Sequence, residues 1–156
     1  MVFKSFLIPT GFRPLGIIFF ISGIALSVLK FSFNYKPDFL DINVFAFYSF
    51  YIEAKAFSLI KHQMLGEIAG LLLLSGLFLI AFTKEKLEAE VLDSLRLRAF
   101  FFATYLNFFY LIISILFFFG FGFVGALTIF ALIWLATYVI VFRILFCRYK
   151  KRSIPE

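Results

Sequence analysis

The hydrophobic pattern of the chain is dominated by a run of 44 residues, from Ala99 to Phe142, that contains no charged side chain. With a helical rise of ~1.5 Å per residue, this run extends ~66 Å, about twice the ~30 Å hydrocarbon thickness of a bilayer. Gly120, Gly122 and Gly125 lie near its middle, where they favour a reversal of chain direction. The pattern therefore predicts two membrane-spanning helices, at about residues 98–119 and 122–146.

Two shorter uncharged stretches predict two more spans in the first half of the chain, at about residues 14–31 and 63–83. Arg13 and Lys30 flank the first stretch, and their long side chains can carry the charge toward the membrane interface. That stretch could instead be a cleaved signal peptide, but no small-x-small site follows it directly, so we expect a retained anchor. The sequence thus predicts an all-α membrane protein, a bundle of four transmembrane helices forming one membrane domain over residues 1–156.

Composition supports this class. Hydrophobic residues make up 63% of the chain, the mean hydropathy is +1.04, and 27 of the 156 residues are Phe. A soluble core of this length could not bury so much apolar surface. The single cysteine, Cys147, excludes a disulfide within the chain, so helix packing has to hold the fold together.

The distribution of basic residues predicts the orientation. With four spans, eleven Lys and Arg residues fall on the side that holds both termini and the 84–98 connection, whereas four fall on the other side. Because basic residues resist translocation, the side that is richer in them is cytoplasmic. We therefore expect both termini inside, a multi-pass protein of the bacterial inner (plasma) membrane, and an external loop over residues 32–62.

The 84–98 connection has the pattern of an amphipathic helix that runs directly into the third span. Apolar residues recur there at intervals of three and four, and acidic residues dominate the first turns while arginines occupy the last, as the helix dipole favours. A solvated connector is the simpler interpretation. A docking surface for a cytoplasmic protein is the functional one, and it would use Glu85, Glu88, Glu90 and Arg96.

The external loop is rich in aromatic residues between positions 39 and 57, and its uncharged stretch, residues 42–52, is too short to span. Aromatic residues of this kind settle at the headgroup level of a membrane. The sequence predicts an interfacial helix or a short hairpin, with the helix favoured. A lid over a ligand cavity is the functional alternative.

Two polar residues within the predicted spans are candidates for a functional role. Glu67 is the one acidic residue there, and His62 precedes it by five residues, so the pair could form a proton relay or half of a metal site. Contact with headgroups and water at the interface is the interpretation we prefer. For Asn107, in the third span, we expect a hydrogen bond to another helix.

Other motifs change the picture little. Residues 120–125 match GxGxxG, but they follow a membrane helix and no strand, so the pattern is a turn. Gly66 and Gly70 form a GxxxG pair that could bring two helices together, within the chain or in a homo-oligomer. The basic tail after the last span is typical of an anchor for anionic lipids, and no direct binding of nucleic acid is expected. With no catalytic, cofactor or metal constellation apparent, we expect no enzymatic activity and no cofactor.

A resemblance adds one expectation. The residues that carry the resemblance are 83–86, Glu88, Glu90, 95–97, Ala103, Tyr105, Asn107, 116–117 and Gly120. The chain resembles a family of small, uncharacterised four-helix membrane proteins of bacteria. The similarity covers about residues 64–150, and the first 60 residues share only hydropathy and aromatic content. Members are often encoded beside a helix-turn-helix regulator, so the resemblance implies a membrane partner of a DNA-binding protein.

The sequence therefore predicts a membrane-anchored interaction or sensory protein, with membrane lipids and a cytoplasmic protein as partners. Its 84–98 helix would bind or restrain that protein. A small oligomeric transporter or channel subunit is the alternative, and it would need polar residues along a path through the membrane, for which Glu67 and Asn107 are the candidates.

Overall fold

The computed structural model describes residues 7–35, 37–50, 54–85 and 90–153. In chain order the elements are α1 (Arg13–Ser32), β1 (Asp41–Phe50), β2 (Ala54–Gln63), α2 (Leu65–Phe82), α3 (Glu90–Phe117) and α4 (Phe121–Ser153). Short 3-10 turns precede α1 and β1. The chain divides into two compact units, one of residues 1–20 and 74–156 and the other of residues 21–73.

Within the described residues, four helices are long and apolar enough to cross a membrane. The candidate spans are Thr10–Ser32, Leu65–Phe82, Val91–Phe117 and Gly122–Lys151, each with a mean hydropathy of 2.0 or more. The four predicted spans are confirmed as helices. With 28 and 33 residues, α3 and α4 extend ~42 and ~50 Å, which exceeds the ~30 Å hydrocarbon core, so both are long enough to project beyond it.

In the first unit the core forms around small residues of α2 and α3. Ala81, Ala99 and Ala103 are buried there, packed with Tyr138 and Phe142 of α4. Small residues let helix backbones approach closely, which is the main way that helices gain packing energy in lipid. A three-residue connection joins α3 to α4, with Gly120 at a φ of 59°, so the predicted turn is confirmed.

The start of α1 and the second half of α2 also approach closely in this unit. A Cβ atom added to Gly76 would lie 2.5 Å from the backbone nitrogen of Phe20, and one added to Gly16 would lie 2.8 Å from the Cβ of Leu79. Both distances are too short for real atoms. The two helices therefore contact each other where glycine removes the side chain.

In the second unit the preferred prediction of an interfacial helix is wrong, because residues 41–63 form an antiparallel hairpin. The register pairs Asp41 with Gln63 and Asn43 with Lys61, and the second strand leads into α2 one residue later. Both strands contain β-branched and aromatic residues. Two such runs separated by three residues are a hairpin signal, and the hairpin was the alternative that the sequence left open.

The predicted 84–98 helix is wrong at its beginning. Instead of continuing in a helix, Lys84 donates its backbone N–H to the Ile8 carbonyl at 2.9 Å, and Ile8 donates to the Phe82 carbonyl at 3.0 Å. This pairing fixes the N-terminal segment beside the end of α2. Helix α3 begins at Glu90 and then runs unbroken through the third span, as predicted. Glu88 lies outside the described residues.

Candidate functional site at the charged end

Glu85 joins three parts of the first unit through two ion pairs. Its carboxylate accepts a hydrogen bond from Arg13 Nη1 at 2.7 Å and lies 3.0 Å from Arg143 Nη1, with one oxygen used for each. The side chain of Glu85 is 10% exposed, whereas those of the two arginines are about one third exposed. We call Arg13, Glu85 and Arg143 the Glu85 latch, because they tie the start of α1 and the last part of α4 to the α2–α3 connection.

Arg96 closes the end of α2. It is buried, and its guanidinium donates to the backbone carbonyls of Ala81 at 3.3 Å and Thr83 at 3.1 Å. These are carbonyls of the last helical turn, which lack helical partners and carry the negative end of the helix dipole. The same guanidinium lies 4.7 Å from the centre of the Phe142 ring, within cation–π range. Arg96 therefore links α2, α3 and α4.

Two of the residues predicted to bind a partner differ from the expectation in their burial and their contacts. Glu85 and Arg96 were expected on a solvated helix face, but both are buried and engaged within the chain. Glu90 is the first residue of α3. The contacts that Glu85 makes come from residues far away in the sequence, so no local pattern indicated them. Arg13 was expected only as a charge that flanks the first span, and Arg143 directly follows the uncharged run that ends at Phe142. A role in partner binding for these acids stays a prediction.

Two cavities open beside α3 at this end. The larger, which we call the basic cavity, has a volume of about 620 Å³ and is lined by Val91, Ser94, Leu95, Arg98, Leu145, Arg148, Tyr149 and Lys151. The smaller has a volume of about 360 Å³ and is lined mainly by apolar side chains. Asp93, Arg96 and Tyr138 contribute the polar groups of its lining. The basic cavity lies between the beginning of α3 and the last part of α4, and the described residues that line it include three cationic side chains and no acidic one.

The second unit contains the His62 and Glu67 pair that the sequence singled out. His62 Nε2 and Glu67 Oε1 lie 2.8 Å apart, with Glu67 in the first turn of α2 and 44% exposed. A metal site in a protein normally needs three or more side-chain ligands. No group of three such residues occurs in the part of the chain that the structure describes. The structure thus brings the pair together in a place open to its surroundings, and its role stays a prediction.

Among the described residues, Asn107 forms a hydrogen bond within its own helix in place of the predicted interhelical one. It is buried, and its Nδ2 donates to the Ala103 carbonyl of its own helix at 2.9 Å. Its Oδ1 atom has no hydrogen-bond partner among the described residues, and the same holds for the buried Oγ of Ser114, seven residues further along α3. One side of α3 therefore carries two polar oxygens that are buried without a partner there.

Comparison with known protein families, with curated proteins and with solved structures finds no significant match. The resemblance to the small four-helix membrane proteins of bacteria therefore stays a prediction. What can be said of the site rests on the contacts of this chain.

Proposed function

We propose that this chain is a membrane-anchored interaction protein whose α2–α3 connection, with the beginning of α3, binds a cytoplasmic protein. The observation that carries this proposal is the Glu85 latch. Three segments that are distant in the sequence are held together at one end by a single buried carboxylate with two arginines. A connection that merely joined two spans would not need such a restraint.

The proposal includes a four-helix bundle in the inner membrane of a bacterium, with both termini in the cytoplasm. The latch supports this orientation, because it brings the start of α1, the end of α2 and the last part of α4 to one end of the first unit. That end also carries most of the basic residues, as the positive-inside rule requires of a cytoplasmic face.

Cysteine labelling tests the orientation. A membrane-impermeant maleimide added to intact cells should not modify the native Cys147, which is exposed in α4, until the membrane is opened. In a Cys147→Ser background, an Asn43→Cys variant in the hairpin should react in intact cells. The reverse pattern would overturn the proposed orientation.

The mechanism that we propose is a restraint that the partner or the state of the membrane can release. While Glu85 is paired with Arg13 and Arg143, the connection stays close to the ends of α1 and α4. A change in helix packing that separates Arg143 from Arg13 would force Glu85 to lose one of its two pairs. The connection, which contains Glu88 and leads to Glu90, would then be free to change its position.

Co-purification with matched variants tests the interaction. The wild-type protein, solubilised from its native membrane in mild detergent, should retain a specific soluble protein in stoichiometric amount. The E88Q/E90Q variant should lose it, whereas D38N/D41N, which removes two exposed acidic charges in the second unit, should keep it. A set of co-purified proteins that is identical for all three forms would contradict the proposal.

A further inference from the structure

The basic cavity has the chemistry of a binding site for a lipid headgroup. Arg98, Arg148 and Lys151 supply three positive charges, and Ser94 and Tyr149 supply hydroxyl groups. The remaining lining is apolar, from Val91, Leu95 and Leu145, and Leu95 is 8% exposed. An occupant that suits this lining carries negative charge at one end and hydrocarbon at the other.

The depth of the cavity matches the headgroup layer of a membrane. Arg98 directly precedes the uncharged run on α3, and Arg148 follows the end of that run on α4 by six residues, or ~9 Å of helix. The polar layer on each side of the hydrocarbon core is about 5–8 Å thick. The cationic side chains therefore reach from the edge of the hydrocarbon through the level of the phosphates.

We propose that the basic cavity binds one anionic phospholipid, with its phosphate among Arg98, Arg148 and Lys151 and its acyl chains along the apolar surface of α3 and α4. Guanidinium groups bind phosphate oxygens with paired, charge-assisted hydrogen bonds, which makes two arginines and a lysine a suitable set. The volume of about 620 Å³ is in the range of small-molecule sites.

A lipid fits the cavity better than a free phosphate compound does. The site adjoins two helices whose surfaces are exposed and apolar over most of their spans, with Phe101, Phe108 and Ile144 as examples. In the membrane these surfaces are covered by acyl chains. A headgroup in the basic cavity would therefore belong to a lipid that already lies against the protein. This inference rests on the cationic and apolar lining of the basic cavity and not on the proposed protein partner, whose test uses the acidic residues Glu88 and Glu90.

Native mass spectrometry of the full chain in a non-ionic detergent tests the proposal. Phosphatidylglycerol should bind with a stoichiometry of one, at least ~10-fold more tightly than phosphatidylcholine with the same acyl chains. The R98Q/R148Q variant should lose this preference, and the K84Q/K150Q control, which removes two positive charges outside the cavity, should keep it. Equal losses in both variants would show diffuse attraction to surface charge and overturn the proposal.

Two further measurements separate a lipid site from its alternatives. S94W fills the cavity without a change in charge, so it should reduce phosphatidylglycerol binding at least ~10-fold while circular dichroism shows an unchanged helix content. Unchanged binding in S94W would place the lipid elsewhere. Water-soluble glycerol phosphate should not compete with the lipid at equal concentration, and effective competition would show a site for free phosphates instead. The E88Q/E90Q variant should bind phosphatidylglycerol as the wild-type protein does, whether or not it loses the protein partner.

Discussion

Arg13 Nη1 and Glu85 Oε2 lie 2.7 Å apart although 72 residues separate them in the sequence. The pair fixes the segment that precedes the first span against the connection between the second and third spans. Because Glu85 also pairs with Arg143, one carboxylate is shared by two guanidinium groups, and both ion pairs depend on it.

Removal of the Glu85 charge should destabilise the first unit. In an E85Q variant, Arg13 and Arg143 would face each other across a neutral amide, and we expect the free energy of unfolding to fall by about 1–3 kcal/mol. Thermal unfolding in detergent, followed by circular dichroism, measures this change. The control is D38N, which also replaces a carboxylate by an amide. Because Asp38 is exposed in the second unit, this variant should leave the free energy of unfolding unchanged. An equal shift in both variants would mean that the latch contributes nothing.

A side chain at Gly76 should separate α1 from α2. The Cβ atom in G76A would meet the backbone of Phe20, so we expect a loss of about 1–3 kcal/mol of stability. Gly70 in the same helix has open space around its Cβ position, which makes G70A the matched control. That variant should be neutral or slightly more stable, by at most ~1 kcal/mol, because alanine favours helix more than glycine does. The comparison is made by denaturant titration in detergent.

The hairpin register predicts which cysteines can be linked. Asn43 and Lys61 are Cα partners, so N43C/K61C in a C147S background should form a disulfide under mild oxidation of the purified protein. Leu59 pairs with Phe45 instead, which puts it about 7–8 Å from position 43, beyond disulfide geometry. N43C/L59C should therefore stay reduced. Thiol titration and mass spectrometry after proteolysis distinguish the two results, and efficient linkage of the second pair would refute this register.

Replacement of Asn107 by leucine tests whether its unpaired oxygen has a partner outside the chain. If Oδ1 is buried without one, N107L should leave stability unchanged or raise it by ~1 kcal/mol, because the cost of burying that oxygen is removed. The control is T128V, an exposed threonine whose hydroxyl bonds only to the Val124 carbonyl among the described residues. A large destabilisation in N107L alone would show that a second copy or a ligand pairs with Asn107. Thermal unfolding reports both variants.

The spanning helices could be predicted from the sequence because lipid imposes one dominant condition, an uncharged stretch of sufficient length. Helix α1 begins and ends within one residue of its predicted limits, and α2 within two residues. The limits of α4 were less predictable. Its second half contains Arg143 and Arg148, which end the hydrophobic pattern, whereas the helix continues to Ser153 because basic residues favour a helix C-terminus.

The latch and the glycine contacts could not be predicted, since both depend on which helices become neighbours. The Gly66 and Gly70 pair matched a known packing motif, yet Gly70 faces open space. In the first unit, Gly16 and Gly76, from two different spans, lie at the close approach of α1 and α2. Similarly, Glu85 looked like part of an amphipathic helix, because its spacing from the following residues fits that period. The Ile8 pairing and two distant arginines override this local preference.

The hairpin has a consequence for handling the protein. In the described part of the chain β1 and β2 pair only with each other, so each strand leaves one row of backbone N–H and C=O groups unmatched. In concentrated samples such rows from separate molecules come close together. Hydrogen bonds between the strands of two molecules then compete with solvation of these backbone groups. The detergent that covers residues 41–63 should accordingly have the largest effect on crystallisation and storage. A lysine introduced on an outer edge of the hairpin would keep neighbouring molecules apart.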